Sequence, residues 1–140
     1  MTINEKQDAL IEDFDLFDDQ LEKTQYIIDL GKKLSPIAEE YKTDDNLIKG
    51  CQSRVWLHTE MRGDRVYFEA DSEPTAQISK GLVSLLIKIL SGEKPEDVAN
   101  ADLYFIDKIG MSTIITSRRA GGLASMIVRM KDFAQKQLIA

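Results

Sequence analysis

Cysteine occurs once in the chain, as Cys51, and histidine once, as His58. A lone thiol cannot close an internal disulfide, nor can it by itself make a cysteine-ligated zinc or iron–sulfur site. Proline (three) and glycine (eight) are few and scattered. With no Pro/Gly-rich linker, internal repeat or low-complexity tract, residues 1–140 read as a single domain. Long apolar runs are missing as well. The longest, LVSLLIKIL at Leu82–Leu90, falls far short of the roughly 20 residues that span a bilayer. The opening MTINEKQDALIEDF lacks the basic and then apolar regions of a secretory signal, so the expected location is cytoplasmic, with no membrane partner. Basic charge is in deficit: 18 Lys and Arg face 24 Asp and Glu, for a net charge of −6. Non-specific attraction to nucleic acid is not expected of such a chain.

What is present has a changing period. From about Asn4 to Leu34 the pattern is helical, with Leu10, Ile11, Phe14 and Phe17 on one face and Ile27, Leu30 and Leu34 on a second stripe, and DLFDD as the corner between them. Ser35 is placed to cap a short turn that has Pro36 at its first position. The segments VWLHTE and RVYFEA are rich in β-branched and aromatic residues and flank MRGD, whose Gly63 can take the positive φ of a short hairpin loop. A further short strand at about Asn46 to Ile48 completes a small antiparallel sheet, with Cys51 in the loop that follows it.

After ADSEP the helical period returns. Pro74 suits a first turn, Ile78, Leu82, Leu85, Leu86 and Ile89 line one face, and Gly92 stands where a C-terminal cap is wanted. Two shorter helices follow, one begun by Pro95 and one from about Asp102 to Ile109. The last long helix has Thr116 or Ser117 as its N-cap and buries Leu123, Met126, Ile127, Met130 and Phe133. The expected class is α+β, in the order α-α-β-β-β-α-α-α.

A free cysteine often acts as a small buried hydrophobe. Here Lys49, Gln52, Ser53 and Arg54 make its neighbourhood polar and basic, and Gly50 lets the backbone turn tightly. Cationic neighbours favour the thiolate, which is the reactive form. A Cys–His hydrolase pair is not supported: His58 lies several strand residues away, at about 3.3 Å each, and nothing evident orients it. It reads as an ordinary strand residue. Sulfur exchange remains, since it needs thiolate character and access but neither metal nor oxyanion hole.

The heptad GCQSRVW resembles the signature of the SufE family, sulfur-acceptor proteins that partner type II cysteine desulfurases in iron–sulfur cluster assembly. YIIDLGKKL, ADSE, ISKGLVSLL and TSRRAGGLASMI resemble further family segments in the same order, so that nearly the whole chain is covered. The resemblance implies the SufE/NifU (IscU-like) fold, a small antiparallel three-stranded sheet packed against helices. It implies that Cys51 takes sulfane sulfur as a persulfide from a desulfurase of the SufS or CsdA type, stimulates that enzyme, and passes the sulfur to a SufB-type scaffold. Such a protein is a sulfur-transfer partner rather than a stand-alone enzyme. It needs no cofactor or metal of its own, because the desulfurase carries the pyridoxal phosphate, and its relatives can form homodimers.

By the same resemblance Gly50 is the flexible point of the loop, Gln52 and Ser53 orient it, and Arg119 is a cationic partner for the thiolate or persulfide. Trp56 also matches and reads as a structural strand residue, while Asp71 and Ser72 read as caps of the following helix. Ser117 stands where many relatives have proline. Two other readings compete. An IscU-like cluster scaffold requires several thiolate ligands where this chain has one. A thiol-based redox sensor is weakened by the lack of a resolving cysteine.

Overall fold

A computed structural model describes residues 1–48, 54–110 and 122–139. Helix α1 (Ile3–Phe14) starts in a reciprocal cap: the Glu5 N–H donates to Thr2 Oγ1 at 3.1 Å and the Thr2 N–H to Glu5 Oε1 at 3.0 Å. Helix α2 (Gln20–Lys32) is capped by Asp19, which accepts from the Glu22 N–H at 2.8 Å. Two single 3-10 turns follow at Glu39–Tyr41 and Asp44–Asn46. The hairpin strands β1 (Val55–Arg62) and β2 (Arg65–Ser72) lead to α3 (Gln77–Leu90), α4 (Pro95–Ala99), α5 (Phe105–Lys108) and α6 (Gly122–Ile139).

The hairpin is the one its residues dictate. Arg62 pairs with Arg65 across a two-residue loop, and Gly63 has a φ of 63°, which puts the positive φ on the glycine at the first central position. Alternation then sends Val55, Leu57, Val66, Phe68 and Ala70 inward. They meet Leu82, Leu85, Leu86 and Ile89 of α3 together with Met126 and Met130 of α6, all in one core. Gln7 is buried as well, an uncharged polar residue whose side chain is fully used. Its amide donates to the Asp102 carbonyl at 2.9 Å, and its side-chain oxygen accepts from the Phe105 N–H at 3.1 Å, tying α1 to the start of α5.

The α+β class stands, but among the described residues the sheet has two strands, not three, and the order of elements is α-α-β-β-α-α-α-α. The expected first strand is reduced to one bridge: Leu47 faces Trp56, and the Ile48 N–H donates to the Val55 carbonyl at 2.8 Å. Its physical cause is local. Asp44–Asn46 closes a 3-10 turn, held by the Asn46 side chain donating to the Tyr41 carbonyl at 2.7 Å, so only two residues remain to reach the ladder. The other edge is covered by residues 91–93. The Val66 N–H donates to the Glu93 carbonyl, the Gly92 N–H to the Val66 carbonyl, and the Phe68 N–H to Ser91 Oγ, at 2.9, 2.7 and 3.0 Å.

Two further local assignments change, and a third falls outside the described residues. Ser35 and Pro36 lie in extended chain ahead of the turn at Glu39. Pro74 belongs to a turn closed by the Ala76 N–H on the Glu73 carbonyl at 3.0 Å, and α3 begins beyond it. Thr116 and Ser117 lie outside the described residues.

Helices α2 and α3 approach at two glycines. A Cβ on Gly81 would lie 2.2 Å from the Ile27 carbonyl oxygen, and one on Gly31 would lie 2.8 Å from the Gly81 nitrogen. Backbone atoms cannot yield as a flexible side-chain tip does. Gly81→Ala should therefore destabilise the fold by about 2–3 kcal/mol or more even though alanine is the better helix former. Urea unfolding checks this, and a variant as stable as the parent would show that α2 moves aside freely.

Candidate functional site

Gly50, Cys51, Gln52, Ser53 and Arg119 lie outside the described residues, so the site is built from what flanks them. The segment 49–53 leaves from buried Ile48 and returns at exposed Arg54. The hydrogen bond from Ile48 to Val55 ties the two ends together, so Cys51 belongs to a short excursion from the open end of the hairpin. Both ends are anchored further. Arg129 of α6 donates to the Leu47 carbonyl at 2.9 Å. Arg54 meets Glu73 three ways: its Nε donates to Oε1 at 2.6 Å, its N–H to Oε2 at 3.3 Å, and its carbonyl accepts the Glu73 N–H at 3.0 Å. Those bonds to Arg54, the side-chain bond first, hold the Glu73 carboxyl below its ordinary range.

Next to this closure lies a group of cations paired with carboxylates. Lys42 and Arg54 each lie 5.7 Å from the centre of the Trp56 ring, a distance at which the ring face attracts a cation. Trp56 is half-buried in β1 and pairs across the hairpin with Asp71. Asp71 is buried, and its carboxylate receives Lys80 at 3.3 Å and Lys42 at 3.4 Å. Its Oδ1 also accepts the Ser72 N–H at 2.8 Å. Burial works to raise this carboxyl, but the Ser72 N–H and the two ammonium groups outweigh it and hold Asp71 below the usual aspartate range.

Asp71 and Ser72 are therefore not caps of α3, whose N-cap position is Ala76. Asp71 is instead the hub that draws a loop lysine and a helix lysine to the strand beside the Cys51 segment. Sequence reading missed Lys42 and Lys80. Neither has a periodicity or motif that marks it, and the ISKGL segment that contains Lys80 pointed only to a helix. His58 is the strand residue expected of it. Its ring stacks on Tyr41 with centroids 3.6 Å apart, and Nε2 lies 3.6 Å from Glu60 Oε1.

Among the described residues no helix is long and apolar enough to cross a membrane. A helix-packed antiparallel hairpin with a closed, cation-flanked segment at its open end places the chain in the α+β class. The family profile described as "SufE: Fe-S metabolism associated domain" matches residues 8–134. The chain belongs to the SufE family, whose domain is associated with iron–sulfur metabolism. It is 38% identical over 138 residues to a SufE-like protein of Rhizobium etli, covering 95% of this chain and 92% of the relative. It is 32% identical over 125 residues to a SufE-like protein of Synechocystis, covering 89% of this chain and 77% of that one. The fold resembles the solution structure of a hypothetical protein from Thermus thermophilus, with a TM-score of 0.77, 23% identity and coverage of 96% and 97% of the two chains.

The Asp71 cluster makes a pH prediction. A carboxyl depressed in the folded state adds stability that is complete above its unfolded value of about 3.9 and is lost as pH falls through the lower folded value. The parent should be clearly more stable than Asp71→Asn at pH 7, and the gap should shrink as pH drops below about 4. Urea midpoints of both proteins at a series of pH values measure it. A gap that stays constant down to about pH 2.5 would mean that Asp71 acts by shape alone.

Proposed function

We propose that the protein accepts sulfane sulfur on Cys51 from a cysteine desulfurase of the SufS or CsdA type and passes it to a SufB-type scaffold for iron–sulfur cluster assembly. The observation that carries this reading is the position of the only cysteine in a SufE domain. It falls within a five-residue segment whose flanks are bonded to each other, near Lys42, Arg54 and Lys80, each of which also holds a carboxylate. Positive charge around a thiol lowers the cost of the thiolate. Short chain closure limits how far that thiolate wanders from a partner's sulfur.

The transfer needs no outside oxidant. The Cys51 thiolate attacks the terminal sulfur of the donor's persulfide, a new S–S bond forms on Cys51, the donor's S–S bond breaks, and the donor cysteine leaves as a thiolate. Discharge repeats the same exchange onto an acceptor thiolate, so the sulfane sulfur keeps its oxidation level throughout. In this reading Gly50 gives the loop its freedom, Gln52 and Ser53 hold its backbone, and Arg119 balances the negative charge of the thiolate or persulfide. The chain acts as one domain in the cytoplasm, activates the donor enzyme, and has no cofactor of its own.

Intact mass spectrometry after incubation with L-cysteine, pyridoxal phosphate and a desulfurase should show a gain of one or more sulfur atoms, lost on reduction. Cys51→Ser should fold and gain none, and sulfur uptake by that variant would sink the mechanism. Arg119→Ala should still bind the desulfurase but load sulfur more slowly or lose it sooner. Unchanged loading and persulfide lifetime would leave Arg119 a structural role only.

A further inference from the structure

We infer that the groove between the Asp44–Ile48 segment and α6 is the docking site for a cationic, apolar-tipped segment of the sulfur-donating protein, a proposal that rests on the sulfur-acceptor reading. The groove encloses about 770 Å³, within the size range of sites that hold several side chains. Its apolar lining comes from Leu47, Ile48, Val128 and Phe133. It exists because α6 presents the small Ala124 and Ser125 where larger side chains would fill the space. Val128, beside Leu47, Ile48 and Phe133 in this lining, is 57% exposed, so its side chain is not fully covered among the described residues.

The charge on the rim is acidic. Asp44, Asp45 and Asp132 line the groove, and none of them has an ion-pair partner among the described residues. Two cations share the lining, Arg129, which donates to the Leu47 carbonyl, and Lys136, so the three carboxylates leave the groove with a modest excess of negative charge. No group of three or more His, Cys, Asp or Glu among the described residues could hold a metal ion, so the carboxylates do not form a cation cage. Their complement is a Lys or Arg side chain beside an apolar one. A second copy of the chain would bring acidic rims face to face, and acidic lipid or nucleic acid would be repelled.

Location selects the donor among cationic proteins. Ile48 is three residues from Cys51, so no more than about 11 Å of chain separates the end of the groove from the thiol. A stable complex covers about 800 Å² on each partner, a patch of roughly 16 Å radius. A donor that brings its persulfide into bonding distance of Cys51 therefore overlies the near end of the groove.

The test compares two routes of sulfur delivery to Cys51. Asp44→Lys with Asp45→Lys, and separately Val128→Arg, are titrated calorimetrically against a desulfurase, with circular dichroism as the check on folding. Affinity should fall by about tenfold or more in each, with slower loading of Cys51 from the enzyme and L-cysteine. Loading from inorganic polysulfide, a small donor that needs no docking, should be unchanged. Should the lysine variant misfold, Asp44→Asn with Asp45→Asn is to show a smaller loss of affinity and a weaker dependence on salt. Parental affinity in folded variants overturns the groove while Cys51 still loads. A change in self-association, or in melting temperature alone, overturns it in favour of a second copy or of the chain's own segment as occupant. If parental Cys51 takes sulfur from polysulfide but never from the enzyme, the sulfur-acceptor reading itself fails.

Discussion

Helix α3 has to serve two neighbours at once, and the bare backbone contact at Gly31 and Gly81 is what allows it. One side of α3 must lie on the hairpin, where Leu82, Leu85, Leu86 and Ile89 complete the core. The other must accept α2 so closely that no methyl group fits between the two backbones at Gly81. A side chain there would force α2 outward or push α3 toward β2, and close-packed cores absorb neither shift cheaply. The position of α3 in turn sets Lys80, which the helix delivers to Asp71 at the open end of the hairpin. The electrostatic surroundings of the Cys51 segment thus depend on a steric condition at the residue next to Lys80 in the same helix.

A two-stranded ribbon is marginal on its own, and here its stability comes from its edges. Residues 91–93 bond to β2, and Glu93 in that segment is buried against Lys6 of α1 at 2.6 Å. Leu47 and Ile48 bond to β1, and Arg129 of α6 fixes the Leu47 carbonyl. Each edge is thereby stitched to a different helix. The buried carboxylates follow the same logic: Glu93 and Asp71 are both tolerated because a lysine from another element meets each one. Removing Lys6 would take from Glu93 its lysine, whereas Asp71 would keep one of its two lysines if the other were removed.

Local chemistry was legible in the sequence where one short segment decided the outcome. Gly63 between two β-rich runs, the apolar stripe of α3, Gly92 at its end and Pro95 at the start of α4 all behave as residue preferences dictate. The misreadings arise where a nearby competitor or a distant partner decides. Asn46 closes a turn on Tyr41 instead of extending a strand, and Pro74 shapes the turn before α3 instead of the helix itself. Asp71 resembles a cap by its position, but two lysines claim it, one before the hairpin and one after it. A single sequence contains no sign of that convergence, because nothing in the spacing of Lys42, Asp71 and Lys80 repeats. Cys51 stood out as the lone cysteine in a polar, basic stretch and Arg119 through motif resemblance, and both lie outside the described residues.

The distribution of charge at this end of the molecule suits an exchange between proteins better than reaction with a small diffusing thiol. Lys42, Arg54 and Lys80 are matched by Glu39, Asp71 and Glu73 at the open end of the hairpin, whereas the rim carboxylates Asp44, Asp45 and Asp132 face α6 with no ion-pair partner among the described residues. Under the proposed transfer, a cationic donor segment would meet attraction at the α6 rim and little on the Asp71 side, where each cation already has a carboxylate. Charge patterns of this kind act mainly on encounter and register, and register is what S–S exchange requires, since the attacking, central and leaving sulfurs must come into line. Affinity can then remain modest. In the proposed reading the Ile48–Val55 closure would supply one fixed point and the groove a second, and two points with a direction between them would define how a donor lies on the chain.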